Sequence, residues 1–287
     1  MKTGTPLTIR QMCRLTGVSR AGFYRRGVST GRAAVELRDQ VQRVALEWPT
    51  YGSRRITAEL RRCGLPVNRK RVQRLMREDN LLCLRKRRFV ATTNSAHGLK
   101  VYPNLAAALV VSGINQLWRA DITYIRLLEE FIYLAVVLDA FSRRVIGWAL
   151  DSTLEAKLAV AALTMALQRR RPAPGLVHHS DQGVQYASHE YVALLETHRV
   201  QISMSRRGNP WDNATCESFM KTLKCEEVYR SEYRNLAEAR ARIGEFLEEV
   251  YNQKRLHSAL GYCPPSEFES LHSSPRMLTP ALAQEAV

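Results

Sequence analysis

The chain has 287 residues, 45% hydrophobic and 24% charged, enough for more than one domain with a packed core. It contains no run of about 18 apolar residues, and its start, Met1-Lys-Thr-Gly-Thr-Pro6, lacks an apolar signal core, so neither a membrane span nor a secretory leader is expected. The net charge of +16 is segregated: residues 1–112 hold 23 Lys/Arg against 6 Asp/Glu, and residues 113–287 hold 20 against 21, which is the footprint of a nucleic-acid-binding front end on a near-neutral remainder.

The first predicted element pair is a helix-turn-helix over Thr8–Arg25. Ile9, Met12, Cys13 and Leu15 are its apolar positions, Thr16-Gly17 breaks the chain, and Ser19 is a suitable N-cap for a second helix. That helix would carry Arg20, Tyr24, Arg25 and Arg26 towards DNA. The pattern repeats. Ile56 and Leu60 lie on a helix through Arg61-Arg62, Cys63-Gly64-Leu65-Pro66 interrupts it, and Asn68 caps Arg69–Arg77. In the last helix Val72, Leu75 and Met76 form a core stripe, while Arg69, Lys70, Arg71, Arg74 and Arg77 fill the other faces. Residues 1–84 are therefore expected to form a tandem helix-turn-helix DNA-binding region. Residues 85–112, opening with Arg85-Lys86-Arg87-Arg88, are expected to be a basic, partly extended linker that contacts phosphates without reading sequence.

From Gln116 the hydrophobic period changes from helical to alternating. Strands are expected at Leu117–Ile125 and Phe131–Leu138, joined by a hairpin at Leu127–Glu130, and at Val145–Leu150 after a turn at Phe141–Arg144. A helix over Glu155–Gln168, a strand at Leu176–His179, a helix around Tyr191–Thr197 and a strand at Gln201–Met204 follow. Long helices at Asp212–Tyr229 and Leu236–Asn252 complete a mixed α/β sheet in which strand one lies beside strand four. That order sets Asp121, mid-strand, next to Asp181, at a strand end, with Glu217 on a helix. Three carboxylates meeting in space repel one another unless divalent cations neutralise them, and oxygen ligands suit Mg²⁺ or Mn²⁺. Two-metal phosphoryl transfer on a nucleic-acid backbone uses such a site. Asn213, Glu217, Lys221 and Lys224 share one helix face, so the two lysines are candidates for holding DNA phosphates beside Glu217. Asp139 is read as structural or supporting, and Asp151 and Asp212 as turn or helix-entry residues. The six cysteines are scattered with no Cys-x-x-Cys pair, which favours reduced thiols in a cytoplasmic protein.

Trp118-Arg-Ala-Asp-Ile-Thr-Tyr124, Leu134–Trp148, His179-Ser-Asp-Gln-Gly-Val-Gln-Tyr186 and Asn209-Pro-Trp-Asp-Asn-Ala-Thr-Cys-Glu217 resemble the integrase core of bacterial insertion-sequence transposases of the second-reading-frame (OrfB) type, relatives of retroviral integrases. Tyr251–Tyr262 followed by Pro264-Pro265 resembles the family's closing motif. The resemblance implies a ribonuclease-H-like catalytic core over residues 113–270, followed by a tail at 271–287, with Asp121, Asp181 and Glu217 as catalytic and metal-binding triad for two Mg²⁺ or Mn²⁺ ions. It further implies nicking and joining of transposon ends to target DNA, recognition of terminal inverted repeats by the front region, a homo-oligomer on double-stranded DNA, and action with or as a fusion to an upstream first-frame (OrfA) product in the bacterial cytosol. Unlike the retroviral enzymes, residues 1–96 contain no histidine and hence no His/Cys zinc domain. The alternatives are a nuclease or viral-type integrase on the same core, and a DNA-binding regulator descended from a transposase but without activity.

Overall fold

The structure, a computed structural model, describes residues 8–21, 32–81, 99–206 and 209–273. The chain divides into two compact units, Met1–Leu84 and Arg85–Val287. Among the described residues no helix is long and apolar enough to cross a membrane.

In the first unit, α1 (Ile9–Thr16) begins with a capping box between Thr8 and Gln11 and ends at Gly17 in the left-handed region, φ 67°. Cys13 is its buried residue; Leu15 is 74% exposed, so it is a surface side chain and not part of the expected apolar face. Arg20 and Ala21 are helical; Tyr24, Arg25 and Arg26 lie outside the described residues. A helix beyond the expected pairs, α2 (Arg32–Glu47), packs with α3 (Ser53–Arg62) and α4 (Arg69–Glu78). Val41, Val44, Tyr51, Ile56, Leu60, Val72, Leu75 and Met76 form their shared core. Asn68 caps α4 as expected, accepting from Lys70 N–H at 2.8 Å. Asp79, just past α4, is clamped by Arg38 through both carboxylate oxygens and by Gln42 at 3.0 Å, which ties α2 to the end of α4.

The second unit is built on a five-stranded sheet in the order β3-β2-β1-β4-β5, with β1 (Leu117–Arg126), β2 (Phe131–Asp139), β3 (Val145–Asp151), β4 (Val177–Ser180) and β5 (Gln201–Met204). β1, β2 and β3 are antiparallel; β4 runs parallel to β1 and β5 parallel to β4, so the expected adjacency of strands one and four holds. Helices α5 (Ala156–Arg170) and α6 (His189–Thr197) cover one face over Trp118, Ala120, Ile122 and Ala135. Gly147 on β3 meets α5 so closely that a Cβ there would lie 2.2 Å from the Ala162 carbonyl oxygen. The other face carries α7 (Ala214–Glu226) and α8 (Leu236–Glu245) over Ile125, Leu134, Val136 and Leu150.

Both long closing helices are less regular than expected. A 3₁₀ turn at Pro210–Asn213 precedes α7, and α8 continues into a π-helix over Phe246–Lys254. From this π-helix Asn252 pairs with β3 as a strand would, accepting from Val145 N–H and donating to Val145 O, both at 2.9 Å. That blunts the sheet edge. Arg255 makes two 2.8 Å bonds to the buried Glu226 at the end of α7. The closing motif thus has a structural role. A last helix, α9 (Pro265–Ser273), is anchored by buried Glu269, which accepts from Ser142, Arg144 and Arg170 at 2.6–2.7 Å. At the opposite edge, Leu105 and Ala106 N–H groups donate to Ser203 Oγ on β5, so the end of the basic linker segment packs on the sheet.

Candidate active site

β4 is only four residues long and pairs with β1 through Arg119↔His179. Beyond that point the β1 edge is open, and continuing the same register by two residues sets Asp181 beside Asp121. Successive side chains alternate between faces, so Asp121 shares the side of Thr123 and Ile125, the side on which α7 packs. Glu217 stands in the first turn of α7. Local bonds fix the two aspartates: Asp121 Oδ1 accepts from Ile122 N–H and Asp181 Oδ1 from Gly183 N–H, each at 2.9 Å. A Cβ at 183 would sit 2.9 Å from that same Asp181 oxygen, so a larger residue there would push the carboxylate off this bond.

Burial pushes the Asp121 carboxyl up to about 7; the neighbouring Asp181 charge, and more weakly Glu217, push the same way, while Lys224 opposes them. Asp121 therefore lies within electrostatic reach of both other acids. Among the described residues, no group of three His, Cys, Asp or Glu side chains is gathered into a ready-made metal cluster. The donor set itself fits a hard divalent cation: carboxylate oxygens on a strand, a strand end and a helix, with an excess of negative charge that a bound cation would relieve without protonating Asp121.

Of the two lysines on the Glu217 face, Lys221 is exposed, and Lys224 is half-buried with its ammonium 4.6 Å from the Tyr124 ring centroid. Burial lowers the Lys224 pKa and Asp121 counteracts it. Arg69, Lys70, Arg71 and Arg74 are exposed on α4, and Arg20 is exposed at the start of its helix. Arg74 is within 3.5 Å of Glu78. Arg85, Lys86, Arg87 and Arg88 lie outside the described residues. Asp139 is fully buried and accepts from the backbone N–H groups of Asn115, Phe141 and Ser142 at 2.7–2.9 Å, so it organises the β2–β3 turn. Asp212 sits in the 3₁₀ turn paired with Arg206, which holds its carboxyl down near 2.

Several supports of the site carry no sequence signal. Arg119, two residues before Asp121, donates to the Asp212 carbonyl oxygen, and Asn213 Nδ2 donates to Ala120 O at 3.2 Å. Arg143 Nη1 donates to Thr215 Oγ1 at 3.0 Å. These three bonds fasten the start of α7, and so Glu217, to the sheet. His179, held between Ser203 and Ser205, is kept neutral by burial, with its pKa near 4; burial likewise lowers His178 to about 3. Neither is a candidate general base at neutral pH.

Three family models match parts of the chain. The Integrase core domain family matches residues 112–210 and a second Integrase core domain family matches residues 198–265, spans that contain the two aspartates and Glu217 respectively; an HTH-like domain matches residues 32–89. The insertion element IS600 31 kDa protein of Shigella sonnei is 40% identical over 90% of this chain and 97% of its own length. The transposase InsF for insertion sequence IS3A of Escherichia coli K12 is 39% identical over 92% and 94%. Among solved structures, the HTLV-2 integrase catalytic core domain in complex with magnesium matches 55% of this chain and 97% of its own, at 16% identity and a TM-score of 0.43. With relatives this similar over nearly their whole length, the chain belongs to the insertion-sequence transposase family, an integrase core following an HTH-like domain.

Proposed function

We propose that this protein is a DNA transposase that nicks the ends of its element and joins the resulting 3′-hydroxyl to target DNA, with Asp121, Asp181 and Glu217 as the catalytic and metal-binding residues. The observation that carries the reading is the placement of Asp121 beside Asp181 at the open β1 edge, facing the helix that bears Glu217 and Lys224. Asp121 and Asp181 would together hold two Mg²⁺ or Mn²⁺ ions, and Glu217 would complete one shell. When bound, such ions supply charge neutralisation and Lewis acidity at the attacking and departing oxygens. The chain's own contribution is positional. The bonds from Arg119, Asn213 and Arg143 keep Glu217 aimed at the aspartates, and Lys221 and Lys224 hold the phosphates flanking the scissile bond. Exposed Arg20, Arg69, Lys70, Arg71 and Arg74 bind the terminal inverted repeats, the first unit supplying recognition and the second chemistry. Family membership supports a homo-oligomer bridging two ends, and action with a first-frame product.

Purified protein with Mg²⁺ and labelled duplexes from DNA flanking its gene tests this, scored for 3′ nicking and strand joining. Products abolished by Glu217→Gln and by Asp181→Asn, with DNA binding retained, are the expected result. Tight binding without chemistry in any form, including the first-frame fusion, would establish a DNA-binding regulator instead. Chemistry surviving Glu217→Gln would remove Glu217 from the triad.

A further inference from the structure

Seven residues after Glu217 on α7, about 10.5 Å along the helix axis, Lys224 borders a second cavity. It has a volume of about 600 Å³, and its walls include Tyr124, Phe131, Tyr229 and Tyr233, with Arg126 and Lys224 as its cations. A cavity of this size holds small planar ligands. The walls differ in rigidity. Tyr233 is 1% exposed, donates from its hydroxyl to Glu227 at 2.9 Å and offers its carbonyl to Leu128 N–H, so it is a fixed floor. Phe131, Tyr229 and Leu128 are 51%, 43% and 58% exposed, an apolar rim left to solvent. Tyr124 meets Phe131 edge to face at 5.7 Å, and its ring is covered on one side by Lys224.

The cavity has no role in the transfer chemistry derived above, yet it is joined to it. Lys224 interacts electrostatically with Asp121 and touches Tyr124, three residues further along the same strand. Aromatic walls beside a phosphate-holding lysine match one ligand class, a nucleotide whose base is out of the duplex stack. The rings supply stacking surface, while Lys224 and Arg126 supply the counter-charge to its phosphates; among the described residues Glu232 is the one acidic residue lining the cavity. We propose that this cavity receives an unpaired nucleobase of the DNA strand next to the scissile phosphate, stacked against Tyr124, Phe131 and Tyr229. An end held this way is splayed before transfer, and the captured base sets the distance of the scissile phosphate from the triad. The inference rests on the DNA-transfer reading and adds a base subsite to it.

The test uses the full chain and a forked duplex whose unpaired 3′ strand carries 2-aminopurine, a base whose fluorescence is quenched by stacking. Binding is followed in parallel by anisotropy of a dye at the far end of the duplex. The expected result is quenching on binding by the unaltered protein, and in Phe131→Ala/Tyr229→Ala a roughly tenfold weaker base-dependent quench with joining slowed even at saturating DNA, while anisotropy still reports duplex binding. Because both side chains are largely exposed, their removal spares the core, and a Phe131→Tyr variant should keep the quench. Binding and joining without quenching, or a quench unchanged in the double variant, overturns the base subsite and leaves the transferase reading standing. A double variant that loses only self-association, with its quench intact, shows the rim to be a contact between copies and also overturns it. No binding by the unaltered protein, together with no joining, overturns both.

Discussion

Replacing Asp121 by Asn should stabilise the metal-free protein at pH 8. Burial and the adjacent acids raise the Asp121 pKa from 3.8 to about 7, which at 1.36 kcal/mol per pH unit is a penalty of roughly 4 kcal/mol on the folded, ionised state. Asp121 as a residue is not wholly buried, and solvent screening reduces this to about 2–3 kcal/mol. The sign follows from proton binding. Between pH 3.8 and 7 the folded state holds a proton that the unfolded state has lost, so unaltered protein loses stability as pH rises through this window and is flat above it. The gain from Asn is therefore full above pH 7, shrinks towards pH 5 and is gone below about pH 4. For a unit of this size 1 kcal/mol is about 2–4 °C, so calorimetry at pH 8 in chelator should place the Asp121→Asn transition about 4–12 °C higher. Saturating Mg²⁺ should then raise the unaltered protein alone and close the gap, since a ligand held only by the native site stabilises by mass action. A melting temperature unchanged or lower in the variant at pH 8, or a gain as large at pH 5 as at pH 8, would refute the claim that the acids at this edge are in electrostatic conflict.

Glu269→Ala leaves Arg144 and Arg170 without their buried partner and should cost about 3–5 kcal/mol, read by urea denaturation, with α9 the first element to lose amide-exchange protection. Gly147→Ala forces a methyl into the α5 backbone and should yield little folded protein, or a loss of at least about 3 kcal/mol; a soluble variant with unchanged melting would mean that β3 and α5 are not in this contact. Asn68→Ala removes the cap of α4 and should cost about 1 kcal/mol and weaken DNA binding measured by anisotropy, while joining at saturating DNA concentration is retained.

The sheet order could be read from sequence because three alternating strands and two short apolar runs separated by helical segments leave few right-handed arrangements, and the one chosen puts Asp121 beside Asp181. Helix α2 was also within reach: Leu37, Val41 and Val44 stand at helical spacing behind Ser29-Thr30-Gly31, residue types that favour a helix start. The π-helix was not, since an i→i+5 ladder leaves hydrophobic spacing over Phe246–Lys254 close to that of an ordinary helix. The roles of Arg119, Asn213 and Arg143 depend on bonds spanning 72–93 residues, and no local pattern announces those.

The same long-range geometry explains why the acids stand where they do. A four-residue β4 ends as β1 continues, and this mismatch exposes a strand edge whose next side chain on the α7 face is Asp121. Had β4 run on, ladder hydrogen bonds would have occupied the space in which the proposed function puts a phosphate, and Asp181 would be a mid-strand residue with no turn to hold its oxygen. Gly183 and the turn it permits are consequently part of the site's construction. α7 then closes the notch from the other side, fixed at its start to Ala120, next to Asp121. Each acid comes from a separately stabilised element, so their mutual repulsion is opposed by the sheet and the helix packing and not by contacts among the acids themselves. On the proposed function, a site held this way would keep its charge excess for cations and phosphate, and Asp121→Asn should release the strain without unfolding anything.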